Sequence, residues 1–229
     1  MKKSLKKRFK NWHIGDYVRQ FSIVTGGVLL TLWLTARIAE SAKQREVRQA
    51  MQLVTLELRD NLQTIRDYKW IYNDEKRVAY RLKEQDFSLD GLPADTVDYY
   101  TRRITGGMGR PYRFLTDALE MFKTTGIASD IADKQIVIDL LRCYNELGAF
   151  DNSMELYYDQ RTKAILPEQM GETLWSADTN IGKAFGKMLT SEKVQNWLGI
   201  IPRAFDTRYF EANEEKLETM IADLEKRYR

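Results

Sequence analysis

From Gln20 to Ala36 the chain reads QFSIVTGGVLLTLWLTA, seventeen residues without a charge, bounded by Arg19 and Arg37. Beyond Ala39 the pattern becomes periodic. Apolar or aromatic residues recur at Val47, Met51, Val54, Leu58, Ile65, Tyr68, Tyr72, Ala79 and Leu82. Steps of three and four place such residues on one buried stripe of a helix. Neither Gly nor Pro occurs from Val28 to Asp90, so no local breaker separates the two patterns. They are predicted to form one helix of about seventy residues, on the order of 100 Å at 1.5 Å per residue. Asn61 interrupts the stripe, at a place where a polar residue can set register. Leu53, Leu56, Leu62, Trp70 and Ile71 make the stripe too broad for a strict two-stranded seam. The distal half of the helix is therefore expected to pack on the body that follows.

The later pattern is also helical. Residues 85–93 read as a loop, Ala94–Ile104 as a short helix, and 105–111 (TGGMGRP) as a glycine-rich turn. A helix is predicted over Pro111–Thr125, ended by Gly126. A long helix follows from near Ser129–Asp133, with Ile136, Leu140, Cys143 and Leu147 on one face; Gly148 is expected to bend it and Pro167 to end it. Residues 168–190 are mixed. Ser191 reads as the N-cap of a short helix. A closing amphipathic helix covers Arg203–Arg229, with Phe210, Leu217, Met220, Ile221 and Leu224 inward. The fold expected is all-α: one transmembrane helix continuing into a long amphipathic helix that packs on a helical bundle. The predicted divisions are a basic tip (1–16), a span (17–39), a stalk (40–85) and a body (86–229).

Charge gives the span a direction. The chain of 229 residues carries a formal +3. Residues 1–20 hold seven Lys/Arg and one Asp, a net +6, and the remainder is −3. A basic flank before a span predicts a cytoplasmic N-terminus, and hence a periplasmic body in a bacterial inner membrane. Arg37, Lys43, Arg45 and Arg48 on the far flank reduce that contrast. Arg19 and Arg37 can snorkel, and Tyr17, Phe21 and Trp33 suit the interface. The rival is a cleaved signal peptide, but the helical pattern runs unbroken through its cleavage site at Ala39–Ser41. The tip is predicted to touch the membrane surface through Lys2, Lys3, Lys6, Lys7, Arg8, Lys10 and Trp12, with Leu5 and Phe9 at helical spacing. Gly27, Thr31 and Thr35 recur every fourth residue and could let two spans approach closely. That face is the candidate for homo-oligomer contact; the other expected partners are the bilayer and an unidentified protein.

Chemistry is sparse. Cys143 is the single cysteine and His13, in the tip, the single histidine. A disulfide within the chain and a His-based triad or zinc site in the body are therefore excluded. No cofactor, metal or catalytic set is predicted, and no aromatic–basic array suggests nucleic acid. Gly106, Gly107 and Gly109, with Arg110 and Arg113, could hold an anion at a helix start, although an interhelix turn explains the same residues. Asp90, Asp95, Asp98, Glu120 and Asp139 could supply a carboxylate pair for an envelope enzyme acting on glycan or lipid. A signalling subunit transmitting through the stalk is a further alternative. Glu57, Asn61, Asp133, Asp139 and Glu146 are polar positions that could face inward.

Three segments carry a resemblance. They are ELRDNL (Glu57–Leu62), the helix–turn–helix ALEMFKTTGIASDIADKQIVIDLLRCYNEL (Ala118–Leu147) and the closing KLETMIADLEKRYR (Lys216–Arg229). With the basic tip and span, the chain resembles a family of uncharacterised bacterial single-span membrane proteins, classed as a domain of unknown function. The span exits through Thr35–Ala36–Arg37–Ile38, where members usually have an Asn–Trp–Asn-like exit. The resemblance implies an envelope protein with a helical body; no activity and no functional residue come with it. The expected role is that of a membrane-anchored interaction or scaffold protein.

Overall fold

The computed structural model describes residues 14–106, 110–171 and 180–228. The tip residues Lys2, Lys3, Lys6, Lys7, Arg8, Lys10 and Trp12, and the loop residues Gly107 and Gly109, lie outside them. Among the described residues the chain is all-α, with one short 3₁₀ turn and no strand. The first helix, α1, runs Ile14–Leu82 without a break over 69 residues. The chain divides into two compact units, Met1–Gln49 and Ala50–Arg229.

In the first unit, α1 presents its apolar side chains to the outside. Phe21, Val24, Leu29, Leu32 and Ile38 are each 60% exposed or more, an arrangement that suits lipid and not water. This helix is long and apolar enough to cross a membrane. The Thr31 hydroxyl donates to the Gly27 carbonyl (2.8 Å) and the Thr35 hydroxyl to the Thr31 carbonyl (2.9 Å). Both polar groups on the small-residue face are thus satisfied within the helix itself, and a Cβ added at Gly27 would meet nothing within 4 Å.

The second unit is built on the distal part of α1. All nine stripe residues named above are buried. Of the five that broadened the stripe, Leu62 is buried, whereas Leu53, Leu56 and Trp70 are exposed. The remaining helices are α2 (Ala94–Thr105), α3 (Asp117–Thr124), α4 (Lys134–Gly171), α5 (Ile181–Leu189), α6 (Glu192–Ala204) and α7 (Thr207–Tyr228), with the 3₁₀ turn Ile127–Ser129 between α3 and α4. Helix α4 packs on α6 and α7, and α2 packs on α4 and α5. Ion pairs Arg59–Glu225, Arg66–Glu218 and Lys69–Glu214 join α1 to α7. Position rises on one helix as it falls on the other, so the pair is antiparallel. Half-exposed pairs of this kind contribute only about 0–1 kcal/mol each; burial of Phe210, Leu217, Met220, Ile221 and Leu224 does more to fix the helix.

Several boundaries differ from the expected ones, each for a local reason. The helix predicted from Pro111 starts at Asp117. Residues 110–116 are irregular because α1 satisfies their backbone instead. The Asn61 amide donates to the Leu115 carbonyl and accepts from the Leu115 N–H, both at 2.8 Å. The Tyr68 hydroxyl donates to the Tyr112 carbonyl (2.5 Å). Glu57 accepts from the backbone N–H of Ala118 (2.6 Å) and from the Tyr144 hydroxyl (2.5 Å), placing a carboxylate at the start of α3 where the helix dipole favours it. Gly126 ends the α3 turn as predicted, in the left-handed region at φ +71°.

Helix α4 runs on through Gly148 and does not stop at Pro167; it continues to Gly171. Both residues face solvent. There the carbonyl that Pro167 leaves unbonded can be hydrated, while buried Ile165 and Gln169 hold the inner face. The mixed region contains α5, capped by the Asn180 side chain accepting from Lys183 N–H (3.1 Å). Ser191 precedes α6 in an extended conformation, without a side-chain cap bond. The closing helix starts at Thr207 and not Arg203. Tyr72 donates its hydroxyl proton to the Ile201 carbonyl (2.7 Å) and accepts from Phe205 N–H (3.0 Å). Phe205 is thereby held extended, and α6 and α7 are separated.

The Asn61 pair gives a direct prediction. Asn61→Ala removes both hydrogen bonds that α1 makes to the Leu115 backbone, each with a net contribution of about 0.5–1.5 kcal/mol. Chemical denaturation of the full chain in detergent should show a loss of about 1–3 kcal/mol. A loss below about 0.5 kcal/mol would mean that water or a backbone shift replaces the pair.

Candidate functional site

The most densely charged interior of the second unit lies where α1 meets α2 and α4. Asp74 and Glu75 are adjacent on α1, and both are buried. Glu75 pairs with the Arg161 guanidinium of α4 (2.9 Å) and accepts from the Tyr157 hydroxyl (2.7 Å). Arg161 also donates to the carbonyls of Ile104 and Arg103 (3.3 Å each). These are the last carbonyls of α2, the end of a helix that attracts a cation. Asp74 pairs with Arg103 (2.6 Å), accepts from the Tyr99 hydroxyl (2.6 Å) and pairs with Arg77. Arg103 lies over the Trp70 ring at 5.0 Å. Four elements, α1, α2, α4 and the turn at Gly106, therefore meet at two carboxylates. Burial pushes the Glu75 carboxyl above its ordinary value, outweighing the opposite pull of Arg161 and Tyr157. Tyr157 is pushed well above its ordinary value by burial and by Glu75.

The candidate anion loop is used differently. Gly106 has φ +50°, and a Cβ built there would overlap the Arg161 guanidinium. The turn needs glycine both for its backbone and for close approach. Arg110 is mostly buried and pairs with Asp151 at 2.5 Å, and Arg113 is exposed. Of the inward-facing candidates, Glu57 and Asn61 are buried. Asp133 is exposed; it pairs with Arg227 and accepts from Gln135 N–H at the start of α4. Glu146 pairs with Lys216 (2.8 Å) and Asp139 with Arg142 (3.3 Å). Cys143 is buried, and burial raises its thiol to about 11, so it sits as a small core residue. Among the described residues no group of His, Cys, Asp and Glu could hold a metal ion.

The buried group Glu75–Arg161–Tyr157 went unmarked in the sequence, yet it left a signal. The stripe has two gaps in its three–four rhythm, and they fall at 61 and 75. Both gaps hold a polar residue that the structure buries.

Several concavities are open to solvent, among them one of about 390 Å³ lined by Asp139, Cys143, Glu146 and Asp223; two others hold further candidate residues or exposed apolar side chains. A cleft of about 910 Å³ is lined by Asp90, Asp98, Val97, Ile181, Lys183 and Lys187, between the loop before α2 and α5. Asp98 there is paired with Arg102 (2.7 Å). Asp95, Glu120 and Asp139 are not among its lining residues. The second is a groove of about 620 Å³ between α4 and α6, with Tyr157, Trp197 and Phe205 among its walls. Leu156 and Ile200 line it and are 61% and 51% exposed. Comparison of the chain with family models, with curated proteins and with solved structures finds no match.

The raised Glu75 pKa has a signed consequence. The folded state binds this proton more tightly than the unfolded chain, whose value is near 4.5. The contribution is full below that value and declines as pH rises towards the folded pKa. Glu75→Gln removes the titrating group and with it this dependence. Melting curves of both proteins between pH 4 and 8 should show the wild-type advantage shrinking as pH rises. An advantage that grows with pH would show that Glu75 is held below its ordinary value.

Proposed function

We propose that the chain is a membrane-anchored interaction module of a bacterial envelope, working by binding and not by catalysis. The observation that carries the reading is the α4–α6 groove: two of the body's most exposed large apolar side chains, Leu156 and Ile200, line it together with Tyr157, Trp197 and Phe205. Exposed apolar clusters mark interaction surfaces more often than they mark chance. The buried carboxylates Asp74, Glu75 and Glu57, by contrast, are engaged by neighbouring helices, and that is a structural use. In this reading the segment 17–39 spans the inner membrane, with the tip in the cytoplasm and the body in the periplasm. The basic excess before the span supports that orientation, and the resemblance of Glu57–Leu62, Ala118–Leu147 and Lys216–Arg229 to single-span bacterial proteins supports the setting. The face of Gly27, Thr31 and Thr35 would then add contact between spans, and Lys2–Lys10 contact with anionic headgroups.

A second reading, a carboxylate-dependent envelope enzyme, is favoured by one observation, the shared placement of Asp90 and Asp98 in one cleft. Hydrolysis of envelope glycan or phospholipid by the full chain, lost in Asp90→Asn and Asp98→Asn, would select it.

Crosslinking in intact cells followed by mass analysis is expected to trap the full chain in a defined adduct with a protein. Purified protein that stays monomeric, with no adduct in cells, would remove the binding reading. A phosphatase that folds only outside the cytoplasm, fused after Arg229, is expected to be active; activity confined to a cytoplasmic reporter would reverse the orientation.

A further inference from the structure

The α4–α6 groove has a chemical character that narrows its occupant. Its apolar walls come from Leu156 and Ala164 on α4, Trp197 and Ile200 on α6, and Phe205 beyond it. An apolar trough between two packed helices can serve as the receiving half of helix-in-groove recognition. The charged residues that line it are Lys163 and Lys193, each about two-thirds exposed. Their partners Asp159 and Glu168 are not among the lining residues. This basic rim lies on a portion of the chain, residues 21–229, whose net charge is −3. The charges that line the groove are thus both positive, which complements an acidic ligand.

We propose, building on the binding role above, that this groove docks an amphipathic helix of another protein, with large apolar residues three and four apart and Asp or Glu on its flank. Groove-to-groove pairing with a second copy of this chain would bring the two lysine rims together.

The test uses the full chain in nanodiscs and three synthetic peptides of about five helical turns: one with a Leu stripe and Glu flank, one with the same stripe and a Lys flank, and a scrambled Leu/Glu control. Binding is read by fluorescence anisotropy. The Leu/Glu peptide should bind; the Leu/Lys peptide should bind about tenfold more weakly, as two rim charges would give; and the scrambled peptide should not bind. Leu156→Asp and Ile200→Asp, at exposed positions, should abolish binding with unchanged circular dichroism. The double charge reversal Lys163→Glu with Lys193→Glu should exchange the preference of the two striped peptides. Equal binding of both striped peptides, or binding indifferent to Leu156→Asp and Ile200→Asp, would overturn the proposal. So would a fall in the peptide-free protein from dimer to monomer in those variants, which would identify a second copy as the occupant. Quenching at Ile200 by a spin-labelled lipid in the nanodisc, without peptide binding, would identify the membrane and equally overturn it. Adducts in cells that persist in Ile200→Asp would leave the binding role standing and remove only this groove from it.

Discussion

One face of one helix carries the second unit. Along α1, from Met51 to Leu82, apolar side chains fill the stripe while a few polar ones reach sideways and take hold of other segments. Glu57 holds the start of α3, Asn61 and Tyr68 hold the irregular stretch at Leu115 and Tyr112, Tyr72 holds the break between α6 and α7, and Glu75 holds α4. The apolar contacts supply the larger share of stabilisation, but they are non-directional. The polar groups supply direction, because a buried donor or acceptor tolerates few positions of its partner. Sliding α1 by one turn would leave every one of these groups unpaired, so the register of the helix is tied to the arrangement of the body.

The same logic explains which parts of the fold were legible beforehand. The stripe residues, the inner face of α7 and the Ile136–Leu147 face of α4 follow from periodicity, and all are buried. What failed were the ends. The breaks before α3 and before α7 are imposed from a distance, by Asn61 and Tyr72, and no local residue announces them. The end expected for α4 at Pro167 fails for the converse reason: Pro167 faces water, which can hydrate the carbonyl it leaves unbonded, while buried Ile165 and Gln169 hold the helix in place. The candidate sites divide similarly. Gly106 and Arg110 were recognisable as special residues, but their partners, Arg161 and Asp151, are 55 and 41 positions away in the chain. The gap at Asn61 is legible as an inward polar position; the gap at Glu75 carries the same signal, but its partners Tyr157 and Arg161 are 82 and 86 positions away in the chain.

The charged interior and the open groove have different characters. At Asp74 and Glu75, every oxygen-bearing group is engaged by arginine or tyrosine from a neighbouring helix. A buried ion pair of that kind does little for net stability compared with apolar packing, but it penalises any other arrangement. The groove has the reverse balance, with apolar side chains left facing water between two helices that are themselves firmly placed. Arg161 and Tyr157 sit beside each other on α4, and Tyr157 belongs to both regions, bonding Glu75 on one side and lining the groove on the other. The position of the groove wall is therefore set by the same register that α1 imposes on the rest of the unit.

Hydrogen exchange of the full chain in a membrane mimetic tests that dependence most directly. The amides of Leu115, Ala118 and Phe205 lie in or beside irregular backbone, yet each donates to a buried side chain of α1. They should exchange at rates close to those of core amides in α1 and α4, through the same global opening. Exchange as fast as that of the loop at Ser88–Gly91 would contradict the account, because it would show that these segments open while α1 stays in place.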